Sequence, residues 1–253
     1  MIRVDRGPEP SELTAIRRDE LVRFRAIFSS KGFDRNELGT RYTDVKELLW
    51  LRQHSKCCYC EKLCEVVGND LEHYRPASRY WWLAWTWENL LFACPNCNRW
   101  AKNDEFPLED ETKRLKPEAA PPQGEQPQLV DPAAENPLDS VQFVWDEDSK
   151  RWLPRPRGAS VRGAETIRVL ELDRQGLLEL FQKHVKDDVM PEVRHLQELM
   201  RAGDEQAVRK HWNHWVPRAL QITRHHTALT YDVLDHFFPD DVRQRWGLVL
   251  TRP

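Results

Sequence analysis

Apolar side chains recur at helical spacing near the start of the chain and again just before the first cysteines. Ser11 is the predicted N-cap of the first helix, which we expect to end near Gly32. Its apolar face consists of Leu13, Ile16, Leu21, Phe24, Ile27 and Phe28. A second helix is predicted to begin at Thr43 and to lead directly to Cys57. Both helices are therefore expected to pack on a common core.

The second half of the chain predicts a β-hairpin followed by helices. Apolar residues alternate in 141–145, a polar turn follows, and an apolar return in 151–153 completes the hairpin pattern. From Ser160 onward the apolar residues recur at helical spacing. Pro191 should end or kink one of these helices, and a last helical region spans about 205–238.

The middle of the chain has a weaker pattern. Short strands are predicted at 65–67 and 71–74, with a turn between them. Residues 107–140 hold seven of the 17 prolines and predict an extended connector. We therefore expect an α+β protein in four segments: helical 1–42, a core around the cysteines at 43–108, a Pro-rich strap and β-hairpin at 109–158, and helical 159–253.

Aromatic residues are concentrated in 80–87, where four tryptophans and a tyrosine occur. Arg75 and Arg79 lie close by, so these rings could stack on nucleic-acid bases. Burial around a small core is the favoured interpretation, because aromatic bulk is more often packed inside than presented as a platform.

Four of the six cysteines form two Cys-x-x-Cys motifs. The pairs are Cys57 with Cys60 and Cys94 with Cys97. Two such motifs can supply four thiolates to one zinc ion in a tetrahedral site. Because this site has no open coordination position, the zinc is expected to be structural. Cys58 and Cys64 are interpreted as ordinary small residues.

The cysteine usage also bears on location. Metal-type spacing favours a reducing cytoplasm over a disulfide scaffold. The chain has no apolar run of membrane-spanning length, and its first residues do not resemble a signal peptide. We therefore predict a cytoplasmic protein without a membrane partner.

Polar residues of a second kind lie between and beside the two cysteine motifs. Glu72 and His73 are adjacent, Asn89 lies further on, and Asn98 directly follows the last cysteine. Carboxylate and amide oxygens bind hard cations, and an imidazole titrates close to neutral pH. Each residue alone has a commoner role, such as a surface histidine or a helix-capping asparagine. Together they predict a site that holds a cation and moves a proton.

The order of these motifs resembles that of the HNH endonucleases. The matching elements are Cys-x-Tyr-Cys, Glu-His-Tyr-Arg-Pro, Trp-Glu-Asn-Leu-Leu, and Cys-x-x-Cys-Asn with a lysine four residues on. The glutamate before the histidine and Phe106-Pro107-Leu108 resemble, more narrowly, the retron-associated and Septu-type (PtuB-like) antiphage HNH proteins. The strong match covers roughly 57–108, and weaker similarity extends to the N-terminus and to the regions around 129–132 and 166–167.

This resemblance implies a ββα-metal core that hydrolyses phosphodiester bonds in DNA. By resemblance, Glu72 and Asn98 bind the catalytic divalent cation, and Asn89 braces the loop that aims the histidine. His73 is the candidate general base. Two protein oxygens, waters and a substrate phosphate suit Mg²⁺ or Mn²⁺ better than zinc. Asn98 stands where the commoner pattern has a histidine, and this H-N-N variant favours the same cations.

The net charge of −3 gives no overall basic surface, yet the residues around this site are locally basic. The candidate nucleic-acid contacts are Arg75, Arg79, Arg99 and Lys102. A basic patch beside a metal site attracts phosphates.

Two other functions remain open at this stage. An RNA-cleaving nuclease, such as a tRNA cutter, would use the same groups, since all of them act on phosphate. A zinc-stabilised binding module without catalysis is disfavoured, because binding alone does not need Glu72, His73 and Asn98 together.

The systems that the sequence resembles include a larger ATPase. We therefore expect an SMC/ABC-like (PtuA-like) partner, which would contact the 205–238 region through its aromatic residues. The anchors predicted there are Trp212, Trp215, Phe237 and Phe238. The distal histidines His211, His214, His225 and His226 are assigned to packing or partner contact, because no patterned cysteine or carboxylate completes a ligand set.

Overall fold

The computed structural model describes residues 1–253. It consists of helices and two separate antiparallel sheets of two strands each. The helices are α1 (Ser11–Lys31), α2 (Arg35–Leu38), α3 (Lys46–Arg52), α4 (Val161–Val169), α5 (Gln175–His184), α6 (Met190–Ala202), α7 (Glu205–Ala219), α8 (Thr227–Phe237) and α9 (Asp240–Trp246). The strands are β1 (Asp70–His73), β2 (Leu90–Ala93), β3 (Val141–Asp146) and β4 (Arg151–Pro156). The predicted mixture of helix and strand is confirmed.

The N-terminal helix follows its apolar pattern. Leu13 and Phe24 are fully buried on its inner face. Ser11 is the first helical residue rather than the cap, because Pro10 takes the preceding extended position. The helix ends before Gly32, whose φ of 77° lies in the left-handed region that glycine adopts without strain.

The first predicted strand, at 65–67, is absent from the structure. Val67 is 80% exposed, and no strand partner lies beside it. β1 instead pairs with β2 in antiparallel register, with Glu72 opposite Leu91. All four residues of β2 are buried, so it offers the apolar surface against which a neighbouring strand is stabilised. The partner of β1 is therefore β2, which lies later in the chain, and not the segment 65–67 that precedes β1.

The aromatic stretch forms core, as the favoured interpretation predicted. Trp81, Trp82, Trp85 and Trp87 are all at most 6% exposed. The Trp81 ring packs 5.6 Å from that of Phe24 on α1. These rings join the N-terminal helix to the region between β1 and β2, and they are not available for base stacking.

The connector at 107–140 is an ordered strap. Leu129 and Val130 are fully buried. The Tyr74 hydroxyl donates to the Leu129 carbonyl at 2.6 Å, and the Val130 amide donates to the Thr166 hydroxyl at 2.9 Å. The strap thus links the strand region to α4.

The C-terminal half contains the predicted hairpin, β3 and β4, and the predicted helices. α5 continues through a π-helical turn, Val185–Val189, into α6, where Pro191 lies in the first turn. Gly203 ends α6 in the left-handed conformation. One hydrophobic core runs from Met1 to Leu248 through all four predicted segments, and the boundaries between those segments remain predictions. No helix is both long and apolar enough to cross a membrane.

Close packing between α4 and the hairpin supplies a stability prediction. A Cβ atom on Gly163 would lie 2.0 Å from the Ser140 carbonyl oxygen, which is backbone and cannot rotate away. We expect Gly163→Ala to lower the free energy of unfolding by about 1–3 kcal/mol or more, as overpacking does.

Gly176→Ala is the matched control, since nothing lies within 4 Å of its Cβ position on α5. The control should be neutral or stabilising by up to about 1 kcal/mol. Urea unfolding of both variants measures the difference, and equal stabilities would contradict this packing.

Candidate metal and catalytic site

The four predicted cysteines form a compact cluster. Their sulfur atoms all lie within 4.8 Å of one another, and the Cys60 and Cys94 sulfurs are 3.8 Å apart. Sulfurs bound about 2.3 Å from a tetrahedral zinc ion would be about 3.8 Å from each other. All four are buried and none forms a disulfide. The cluster therefore has the donor type, number and spacing to bind a metal such as zinc.

Neighbouring groups support this cluster. The Arg174 guanidinium, at the start of α5, approaches the Cys97 sulfur at 3.2 Å and so can stabilise thiolate charge. Sequence reasoning missed this residue, because it lies far from the cysteines in the chain. Cys58 and Cys64 stand outside the cluster, as predicted.

The cysteine motifs fix how the strands meet the following helix. The Cys58 amide donates to the Phe92 carbonyl at 3.1 Å, which ties the first motif to β2. Cys94 directly follows β2, and Cys97 lies in a π-helical segment, Asn96–Lys102. The cluster thus joins β2, and through it β1, to this π-helix in one unit.

A cavity of about 870 Å³ opens beside this unit. Its polar lining includes Arg35, Lys46, Asp70, Glu72, His73, Asn98, Arg99 and Asp104. Three of the four residues predicted to be catalytic therefore share one cavity. The fourth, Asn89, is buried behind it.

The hydrogen bonds of His73 define its tautomer. Its Nε2 lies 2.9 Å from the Ala84 carbonyl oxygen, which can only accept, so Nε2 carries the proton. Nδ1 has no hydrogen-bond partner and holds the lone pair. Burial lowers the pKa of His73 to about 4, so the ring is neutral at neutral pH. The Tyr42 ring packs edge-on at 4.8 Å and fixes its orientation.

Asn89 holds the loop that supplies the Ala84 carbonyl. Its amide nitrogen donates to the Leu83 carbonyl at 3.2 Å and to the Arg75 carbonyl at 3.0 Å. Its amide oxygen accepts from the Arg75 amide at 2.7 Å. A buried asparagine with three such bonds fixes the loop, and hence the position of the carbonyl that contacts His73.

Glu72 is only 1% exposed, and the contacts that anchor it all go to one oxygen. Its Oε1 lies 2.8 Å from the Lys102 ammonium and accepts from the Tyr59 hydroxyl at 3.1 Å. Burial raises the pKa of Glu72, and the Lys102 charge opposes that shift. Oε2 has no hydrogen-bond partner.

Asp70 is a cavity residue that sequence reasoning missed. Its carboxylate accepts from the Asn98 side-chain nitrogen at 3.2 Å and from the Arg99 Nε at 2.8 Å. It lies two residues before Glu72 on β1, and side chains at that spacing share a face of a strand. This alternation was the signal in the sequence that could have identified it.

Three acceptor atoms of the predicted site are therefore unpaired: Glu72 Oε2, His73 Nδ1 and Asn98 Oδ1. None is enclosed, because the fully buried polar atoms without partners lie elsewhere, at Ser78, Trp81, Trp85 and Gln128. The two oxygens are hard donors of the kind that could hold Mg²⁺ or Mn²⁺.

Two of the four predicted phosphate contacts are not available in this structure. Lys102 is fully buried, because its ammonium binds Glu72 and the His73 carbonyl at 2.9 Å. Arg75 is held by Glu125 at 2.7 Å, with only 11% of its side chain exposed. Either cation would be costly to bury without its carboxylate partner. Both side chains therefore belong to buried ion pairs and not to the phosphate-binding surface.

The other two predicted contacts are exposed, and two further cations line the cavity. Arg99 and Arg79 are exposed, as a phosphate contact requires. Arg35 and Lys46 also line the cavity, and Arg35 is exposed with no hydrogen bond or ion pair. Sequence reasoning missed both, because the fold brings α2 and α3 beside β1.

The buried Lys102–Glu72 pair gives a second stability prediction. Lys102→Met leaves an uncompensated carboxylate in the interior, which should lower the free energy of unfolding by about 3–5 kcal/mol. Arg99→Met is the control, because Arg99 is 60% exposed and its pair with Asp70 should contribute less than about 1 kcal/mol. The double variant Lys102→Met/Glu72→Gln should recover part of the loss. Thermal or urea unfolding measures all three, and equal effects of the two single changes would refute the role given to Lys102.

Comparison with known proteins gives the family. No family model matches the chain. The chain is 31% identical over 221 residues to the Septu protein PtuB of Bacillus mycoides (strain KBAB4). The aligned region covers 79% of this chain and 72% of that protein, so the similarity extends well beyond the cysteine motifs. The chain therefore belongs to the Septu PtuB family.

Proposed function

We propose that this chain is a metal-dependent endonuclease of the HNH type that hydrolyses phosphodiester bonds in DNA. One observation carries the proposal: Glu72, His73 and Asn98 line the same cavity, and each has one acceptor atom without a hydrogen-bond partner. A base and two hard ligands in one cavity are what hydrolysis of a phosphodiester requires. The order of β1, β2 and the π-helix is consistent with a ββα-metal core.

His73 would accept the proton of the attacking water at Nδ1. Its Nε2–H stays on the Ala84 carbonyl, whose dipole then stabilises the positive ring. Asn89 acts as a positioning residue, because it fixes the loop that carries this carbonyl. A divalent cation on Glu72 and Asn98 would neutralise charge on the phosphate and on the leaving oxygen.

The substrate would be drawn by exposed groups around the cavity. Arg35 and Arg99 supply positive charge at its edge, and Arg79 lies exposed on the loop after β1. Trp100 follows Arg99 and is 76% exposed, which gives an aromatic surface on which a base could stack. These groups replace Lys102 and Arg75 in the proposed nucleic-acid interface.

Nuclease assays test this proposal. Purified protein is incubated with plasmid, single-stranded DNA and tRNA, in the presence of Mg²⁺, Mn²⁺ or EDTA. We expect DNA cleavage that depends on the divalent cation. Cleavage of tRNA alone would support the RNA-cleaving alternative. Binding without cleavage, with or without the partner described below, would support the non-catalytic module.

We also propose a role in antiphage defence with an SMC/ABC-like ATPase of the PtuA type. Membership of the Septu PtuB family and the resemblance of the cysteine region support this role. The predicted interface changes, however, because Trp212 and Phe238 are 1% exposed and pack on each other at 5.3 Å. Trp215 and Phe237 are only partly buried and remain candidates. We expect the chain to co-elute with a PtuA-like ATPase. Trp215→Ala should abolish co-elution, whereas His214→Ala should not.

Six unpaired cysteines support a reducing, cytoplasmic location for this system.

A further inference from the structure

A second group of metal-binding side chains lies among the C-terminal helices. His184 ends α5, Asp188 lies in the π-helical turn after it, and His225 lies two residues before α8. One ligand atom from each of the three lies within 4.8 Å of the other two. Apart from the four cysteines, no other group of three or more such residues meets this condition. Short π-helical segments often mark functional sites.

His184 is held by a hydroxyl at one ring nitrogen and faces this group with the other. Its Nε2 lies 2.8 Å from the Thr230 hydroxyl, and that hydroxyl donates to the His226 carbonyl at 3.3 Å. When Nε2 carries the ring proton, it donates to this hydroxyl, and the hydroxyl keeps its own proton on the His226 carbonyl. In that tautomer Nδ1 is the unprotonated nitrogen and is free to bind a metal. A histidine ligand is oriented for metal binding in this same way, through its second ring nitrogen.

Asp188 faces both imidazoles of this group. Asp188 Oδ2 lies 2.9 Å from His184 Nδ1 and 3.4 Å from His225 Nε2. Without a metal, a proton on Nδ1 would be donated to this carboxylate; with the proton on Nε2, a cation between Nδ1 and Oδ2 takes its place. Ligands bound about 2.0–2.1 Å from one tetrahedral ion are about 3.3 Å apart, which falls between the two observed distances.

We propose that His184, Asp188 and His225 bind a divalent transition metal, and their donor types favour Zn²⁺. Two imidazoles and one carboxylate suit zinc far better than Mg²⁺. This site is separate from the four-cysteine cluster and from the proposed nuclease cavity. The sequence alone did not suggest this site for His225, because the carboxylate and the second imidazole come from a different helical segment.

The three ligands leave one coordination position open. His184 is 9% exposed, whereas His225 and Asp188 are 37% and 53% exposed, so the site is anchored on one side and open to solvent on the other. His226, next to His225, has its Nδ1 3.1 Å from the Cys60 carbonyl. A metal here would therefore clamp the turn before α8 to α5, close to the first cysteine motif.

Zinc stoichiometry tests the proposal without reference to nuclease activity. We expect two zinc equivalents in the wild-type chain after dialysis against zinc and removal of excess. Asp188→Asn and His225→Ala should each retain one, in the four-cysteine cluster. Both changes are at partly exposed positions, so the fold should survive. Thr230→Val, which removes the hydroxyl that orients His184, should weaken binding at this site about 10–100-fold.

Asp187→Asn is the matched control, because Asp187 neighbours Asp188 but binds Lys183. It should retain both equivalents. Cobalt substitution separates the two sites, since only the cysteine cluster gives intense thiolate charge-transfer absorption. A wild-type chain that takes up one equivalent, or an Asp188→Asn variant that keeps two, would overturn the proposal. The first outcome would mean that His184 carries its proton on Nδ1 and donates it to Asp188.

Discussion

Cys57→Ser is expected to release the metal of the four-cysteine cluster and to unfold the surrounding region. Structural zinc contributes on the order of 10 kcal/mol to small metal-stabilised domains, which is comparable to the whole stability of a typical single domain. Here the cluster joins β2 to the π-helix, so its loss also frees Asn98 from the strands. Metal analysis and thermal unfolding measure the effect, and Cys94→Ser should behave alike.

Cys64→Ser is the matched control for this prediction. Its thiol donates to the Lys62 carbonyl at 3.4 Å and takes no part in the cluster. A serine hydroxyl can make the same contact, so zinc content and melting temperature should remain near those of the wild type. A Cys57→Ser variant with full zinc content and an unchanged melting temperature would show that the cluster is not a structural metal site.

His73→Ala is expected to reduce phosphodiester cleavage by about 10²–10⁴-fold, the contribution typical of a general base. The fold and the zinc content should remain, because the Ala84 carbonyl that His73 contacts belongs to a loop fixed by Asn89. Cleavage rates at saturating Mg²⁺ measure the loss of activity, and circular dichroism measures whether the fold is retained. This result depends on the nuclease activity proposed above.

His214→Ala is the control, because His214 is exposed on α7, outside the cavity. It should cleave at the wild-type rate. If His73→Ala cleaved at the wild-type rate, His73 would not be the general base. That result would not bear on the proposed cation ligands Glu72 and Asn98. Loss of cleavage with loss of fold would instead make His73 a packing residue, and Asn98→Ala would then test the cavity.

Local spacing accounts for what the sequence determined. Two Cys-x-x-Cys motifs predict a four-thiolate cluster wherever they meet, because each motif sets two donors at a fixed separation. The helices and the β3–β4 hairpin follow from periods of about 3.6 and 2 residues. His73 and Asn98 were identified because each lies in or beside a motif.

Only the tertiary structure decided which neighbours these residues have. Lys102 faces Glu72 rather than solvent, because the π-helix turns it towards the strands. Arg35 reaches the cavity because α2 packs beside it. His184 and Asp188 meet His225 across two helical segments. Burial and charge pairing depend on contacts between residues far apart in the chain, and a periodic pattern carries no information on which of those contacts form.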